Sequence, residues 1–240
     1  MYFTEPLIRG IFVQRYKRFF VDAVIYDTGE QVVAHCANPG AMTGLCIPGA
    51  TVWLLKNDDP KRKLKYTWEF IELLCGTLVG VNTMTPNRIV QNVLEQGGLS
   101  VFSQYRTIKR EVQCRGGSRL DFLLTQTGLP CCYLEVKNVH LVRKQGVSEF
   151  PDSVTKRGTK HLESLSNSVR NGDRAALLYV VQRNDCRSFK VAEDIDKEYG
   201  KAYKNALEVG VEMFAVSCKV IVHEDGRGEI KVETMLTVSN

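Results

Sequence analysis

Two apolar runs, Leu120–Thr125 and Cys131–Val139, constrain this chain more than any other stretch. Each has the length of a strand, and Gln126-Thr127-Gly128-Leu129-Pro130 between them carries turn residues. The segment therefore predicts a β-hairpin, or at least two adjacent strands. Three charges interrupt the runs: Asp121, Glu135 and Lys137. Strand side chains alternate faces, so Glu135 and Lys137 project from the same face, and Asp121 joins them if the register sets it opposite. Two carboxylates and a lysine are costly to bury without a partner. A divalent cation would relieve the repulsion between the carboxylates, and hard oxygen ligands suit Mg²⁺. The cation would then act as Lewis acid, with the lysine orienting a water or stabilising charge on a phosphate.

The residues before this stretch read as short strands punctuated by turns. Phe19–Tyr26 and Gln31–Cys36 flank Asp27-Thr28-Gly29-Glu30, a hairpin signal, and Thr51–Lys56 and Tyr66–Leu74 follow. Pro39-Gly40, Gly44 and Pro48-Gly49 separate them, which predicts a small barrel or sandwich. The loop from Asn57 carries Lys61, Arg62, Lys63 and Lys65, followed by Tyr66 and Trp68. Cations beside aromatics suit single-stranded nucleic acid, which is held by phosphate attraction and base stacking. A solvated hairpin tip over core aromatics would read the same way. His35 and Cys36 are sequence neighbours whose side chains point apart, so their loop is expected to make tight turns or a domain contact rather than hydrolytic chemistry.

A boundary is expected between residues 83 and 84. Thr85-Pro86 opens a helix with apolar Ile89, Val90, Val93 and Leu94, and Gly97-Gly98 ends it. Strands Arg106–Gln113, Leu120–Thr125 and Cys131–Val139 follow, then a polar loop containing Phe150-Pro151-Asp152. Further on come a helix over Ser153–Val169, a buried strand Ala175–Val181, a helix Ile195–Gly210 and a last strand Val211–Val222. The first of these two helices carries Arg157, Lys160 and His161, with Arg157 and His161 on one face. Beside a carboxylate pocket such cations would hold phosphate oxygens. Arg119, two residues before Asp121, raises the same expectation.

Net charge is +5 over 240 residues, a mild basic bias compatible with a polyanionic partner. No apolar run reaches membrane-spanning length, and the segment around Glu5 has no basic-then-apolar signal pattern. The eight cysteines show neither CxxC pairs nor zinc-finger spacing, so a reduced, cytoplasmic protein is expected.

An Asp on one strand and Glu-x-Lys on the next resembles the PD-(D/E)xK nucleases, and the order helix, three strands, helix, strand agrees with their core. Over nearly the whole chain the sequence also resembles the sugar fermentation stimulation protein A (SfsA) family. The resemblance rests on His35–Gly44, Tyr66-Thr67-Trp68-Glu69, Val81-Asn82-Thr83, Ser118–Phe122, Tyr133–Lys137, Phe150–Thr155, and Arg157-Gly158 with Lys160-His161-Leu162. It implies an α+β protein of two domains: an OB-fold-like β-barrel over 1–83 and a PD-(D/E)xK restriction-endonuclease-like domain over 84–240. It also implies DNA binding without strong sequence preference and a link to expression of sugar-utilisation genes. Carried over by position, metal ligation falls on Asp121 and Glu135 and the catalytic set on these two with Lys137. The chain departs from the pattern where many members carry an acid and it has Asn92. The oligomeric state is not readable from the sequence.

Overall fold

A computed structural model describes residues 1–114 and 117–239. The first half is built from β1 (Tyr2–Tyr16), β2 (Phe20–Ile25), β3 (Gln31–His35), β4 (Thr51–Lys56), β5 (Tyr66–Glu72) and the short β6 (Leu78–Gly80). β1 pairs antiparallel with β2 and with β4; β2 pairs with β3, β3 runs parallel to β5, and β5 pairs with β4. The alternating apolar residues of these strands, among them Phe12, Val21, Ala23, Val52, Leu54 and Trp68, enclose a core of their own.

β1 is longer than any strand the sequence suggests, and it serves two sheets. Its second half lies in the first-half sheet. Its first residues pair with β15 (Arg227–Met235), Tyr2 opposite Glu229 and Pro6 opposite Arg227. Pro6 and Gly10 interrupt the apolar alternation, which hides this strand from a local reading.

The second half opens with α1 (Thr85–Glu95), with Pro86 in its first turn. Its sheet runs β15, β14 (Glu212–Val222), β12 (Arg174–Val181), β9 (Cys132–Val139), β8 (Arg119–Thr125) and β7 (Thr107–Gln113). β9, β12 and β14 are parallel, and the outer pairs are antiparallel. β12 is buried from Ala175 to Val181, as its continuous apolar run requires. Even-numbered residues of β9 and β12 pack with α1, and odd-numbered ones pack with α2 (Lys156–Arg170) and α3 (Lys197–Val209). Thr155 caps α2, its hydroxyl accepting from the Gly158 N–H at 3.1 Å; Asp196 caps α3 in the same way through the Tyr199 N–H.

The region expected to be a polar loop is instead a hairpin, β10 (Leu141–Lys144) and β11 (Val147–Phe150), turning at Gly146 with φ of 80°. β11 extends into a small parallel sheet with β13 (Ser188–Val191) and β16 (Thr237–Ser239). Its polar residues mislead: Glu149 is buried because Arg143 and Lys190 both pair with it. All eight cysteines are free. Among the described residues, no helix is long and apolar enough to cross a membrane.

The two halves meet at the loop after β3. Asn38 donates to the Val81 carbonyl, Thr83 donates to Ala37, and the Asp152 carboxylate accepts from the Met42 N–H at 3.1 Å. A polar chain continues inward: Asp152 beside His140 at 3.3 Å, His140 with Asn138, Asn138 with Gln182, and Gln182 donating to the Asn82 carbonyl. Gly40 permits this approach. A Cβ there would stand 2.3 Å from Asp152 Oδ2. Gly40→Ala is therefore expected to displace Asp152 from Met42 and to cost about 1–3 kcal/mol, read as a lower urea midpoint.

Candidate functional site

The β8–β9 ladder ends at Phe122 opposite Leu134. One step further, where the same register would set Asp121 opposite Glu135, the strands separate. Asp121 fills the gap: its Oδ2 accepts from the Val136 N–H at 2.8 Å, and its Oδ1 accepts from the Asn87 amide of α1 at 2.7 Å. On the odd-numbered face of β9, Lys137 Nζ donates to Glu135 Oε1 at 2.6 Å. From α2, His161 Nδ1 bonds the same oxygen. Arg157, one turn earlier, donates from Nε to His161 Nε2 at 3.3 Å. Because His161 Nε2 accepts, we place the ring proton on Nδ1, pointing at Glu135.

The two carboxylates are pushed apart in acidity. Burial raises the Asp121 pKa to about 6 and the Glu135 charge adds to that, against the pull of Val136, Asn87 and Lys137. Burial would raise Glu135 too, yet Lys137 and His161 hold it down at about 2. A third buried acid, Glu69 on β5, lies at the domain junction. Burial lifts it to about 7 although Asn82 donates to both its oxygens and Arg88 and Arg62 oppose the shift.

Glu135 Oε2 is buried and has no hydrogen-bond partner. An ionised oxygen left bare is costly, and a cation is the partner that relieves it. Among the described residues no group of three or more His, Cys, Asp or Glu stands together to hold a metal. The protein thus offers two carboxylates, which fits a hard cation that keeps several waters better than one needing a full protein cage.

The structure brings Asp121, Glu135 and Lys137 together, with Arg157 exposed at the rim and Lys160 exposed on α2; His161 requires correction as a phosphate contact, because it is buried with Nδ1 on Glu135 and Nε2 on Arg157. Arg119 is exposed and pairs with Glu111 at 2.8 Å. Of the basic loop, Lys61 and Lys63 are exposed, Arg62 reaches Thr67, and Lys65 folds back onto the Asp59 carbonyl. Trp68 requires correction as a base-stacking residue. It is fully buried, and its indole donates to the Phe70 carbonyl at 2.9 Å, so neither ring face reaches a ligand. The cause is that β5 is buried almost throughout. The α1 residue on Asp121 is Asn87, not Asn92; its only local signal is its place in the turn fixed by Pro86.

The model of the SfsA N-terminal OB domain matches residues 13–81, and that of the sugar fermentation stimulation protein RE domain matches residues 84–224. The chain belongs to the sugar fermentation stimulation protein family. A homolog from Dinoroseobacter shibae is 49% identical over 213 residues, spanning 89% of this chain and 87% of the relative. One from Maricaulis maris is 46% identical over 235 residues, spanning 96% and 99%. The solved structure of Pyrococcus furiosus SfsA in complex with Ca²⁺ aligns with a TM-score of 0.87 at 26% identity, over 100% of this chain and 98% of that one. The SfsA fold of this chain is therefore an OB-like first half followed by an RE-like second half, with the carboxylate pair in the RE-like half.

Proposed function

We propose that this SfsA-family protein binds DNA with little sequence preference, and that its RE-like half holds Mg²⁺ between Asp121 and Glu135 and hydrolyses phosphodiester bonds. The bare, buried Glu135 Oε2 beside the strained Asp121 carboxylate carries this reading. The Ca²⁺ in the Pyrococcus furiosus relative, another hard cation, supports it. When bound, the cation supplies Lewis acidity to a phosphate oxygen and makes a water more acidic. Lys137, held on Glu135, keeps a positive charge where the phosphorane-like transition state gathers negative charge. His161 bonds the same Glu135 oxygen as Lys137, with Nδ1 3.1 Å from Lys137 Nζ, and is itself steadied by Arg157, whose exposed guanidinium is free to meet a phosphate. The relatives' name links the protein to sugar fermentation. Regulation of sugar-utilisation genes through DNA binding belongs to the same proposal.

A second reading, a DNA-binding regulator that does not cut, draws on the same site. Helix α1 brings the amide of Asn87 to Asp121 where a third carboxylate would tighten metal binding. One comparison separates the two. Wild type should cut single- or double-stranded DNA with Mg²⁺, and Asp121→Ala should fall to the metal-free background. Equal cutting by both, or none by either, removes the nuclease. Salt-sensitive binding that survives Asp121→Ala then leaves the regulator.

A further inference from the structure

The buried Trp68 leaves only Tyr66, partly buried against the core, beside the basic loop, yet a larger aromatic surface exists elsewhere. The β1–β2 hairpin tip is Tyr16-Lys17-Arg18-Phe19-Phe20. Tyr16 and Phe20 stack with ring centroids 5.5 Å apart and planes 16° from parallel. Phe19 is 44% exposed and stacks on His35 of β3 at 6.4 Å and 21°. Single exposed aromatics are ordinary on protein surfaces; two stacked pairs flanking one turn are not.

The turn between them is backbone-strained. Lys17 and Arg18 adopt φ of 46° and 63°, a region that glycine or asparagine occupies at far lower cost. The chain nevertheless places two exposed cations there. Arg15 then fastens the tip, donating to the carbonyls of Arg18, Asn38 and Gly40 at 2.9, 2.7 and 3.1 Å. The tip also faces the second domain. Arg18 lines a cavity of about 310 Å³ between the halves, together with Thr83, Asn138, His140 and Thr155. Asn138 follows Lys137, and Thr155 caps the helix that carries Arg157 and His161.

We propose that Phe19 with His35, and Tyr16 with Phe20, form a stacking platform for unpaired bases, and that Arg18 guides the backbone of that strand into the interdomain cavity. This rests on the nucleic-acid reading of the protein and adds the substrate class: a strand with an unpaired stretch. Stacking tolerates any base because every base has a π face, and the cations neutralise the phosphates between successive bases.

The test is binding in EDTA, where no cleavage intervenes. Fluorescent oligothymidylate, oligouridylate, an abasic strand of equal length and a short duplex are titrated by anisotropy. Wild type should bind a base-bearing strand at least tenfold more tightly than the abasic strand. Phe19→Ala/His35→Ala should lose that preference for thymidylate, uridylate or both, while duplex and abasic affinities stay within twofold. Those retained affinities show that the variant is folded, and Phe19→Leu/His35→Ala should match it because the apolar volume stays and the ring faces go. Arg18→Gln should shallow the salt dependence of strand binding by about 0.7 in the log–log slope. An undiminished preference in both aromatic variants, or an unchanged slope, overturns the platform and leaves the duplex reading standing. Failure of wild type to bind any of the four overturns the nucleic-acid reading itself.

Discussion

Glu135→Gln is expected to destabilise the protein by roughly 3 kcal/mol at neutral pH, an uncommonly large effect for a change of one atom. The side chain is 3% exposed, and Lys137 and His161 both depend on its charge. The amide oxygen still accepts one hydrogen bond, so the cost falls at the low end for breaking a buried ion pair. The pH dependence has a definite sign. The native carboxyl titrates at about 2, below its ordinary 4.5. Its contribution is therefore present above pH 4.5 and lost as pH falls through 2, and the two free energies of unfolding should converge as the solution is acidified below 4.5. Urea unfolding at pH 7.5, 4 and 2.5 reads this directly, and the midpoint of thermal unfolding should drop by about 6–12 °C at pH 7.5. Equal midpoints at pH 7.5 would mean that Glu135 is not the anchor of Lys137 and His161.

Asp121→Asn should do the opposite. Burial and the Glu135 charge lift this carboxyl from 3.8 to about 6. A raised acid favours the folded state only while protonated: its benefit is complete below pH 3.8 and disappears as pH rises through 6. At pH 7.5 the metal-free wild type thus carries a penalty of about 2–3 kcal/mol that the amide does not. The variant should unfold later in urea at pH 7.5 with EDTA, and the gain should vanish near pH 4. The amide also fits the local bonding: its oxygen accepts from the Val136 N–H, and its NH2 donates to the Asn87 carbonyl oxygen once that side-chain amide turns over. Excess Mg²⁺ should narrow or reverse the difference, because a ligand of the folded state stabilises only the protein that binds it. A variant less stable than wild type at every pH would show that the Asp121 carboxylate is solvated rather than strained.

These two substitutions act in opposite directions on residues that a sequence reader sees as a matched pair. The strands bearing them were legible because charges inside apolar runs are conspicuous, and the alternation rule set Glu135 and Lys137 together. Their unequal environments were not legible. The separation of β8 from β9 after Phe122 and the arrival of Asn87 from α1 are tertiary events with no trace in local pattern. Trp68 misleads for a related reason. An aromatic next to cations looks like a binding surface until the strand around it proves to be covered on both faces. The hairpin at Leu141–Phe150 is hidden by Arg143 and Glu149: they pair at 2.7 Å, so that Glu149 is buried while Arg143 stays partly exposed. The stacked rings at the β1–β2 tip were visible as letters, but Phe19 and His35 become neighbours only when β2 lies beside β3.

The division of β1 between the two halves bears on how the molecule is made. Strand β15 finds its outer partner in Tyr2–Pro6, which lies before the whole OB-like half in the chain, while β15 lies after the rest of the RE-like sheet. The OB-like half can assemble as soon as its own strands exist, but Tyr2–Pro6 stays without its β15 partner until the chain has been made through Met235. An RE-like half cut out at residue 84 would carry β15 as a bare sheet margin with open hydrogen-bonding groups, an invitation to self-association. Separating the halves by genetic excision therefore removes a structural strand along with a domain, and proteolytic nicking between them would leave the fragments held together.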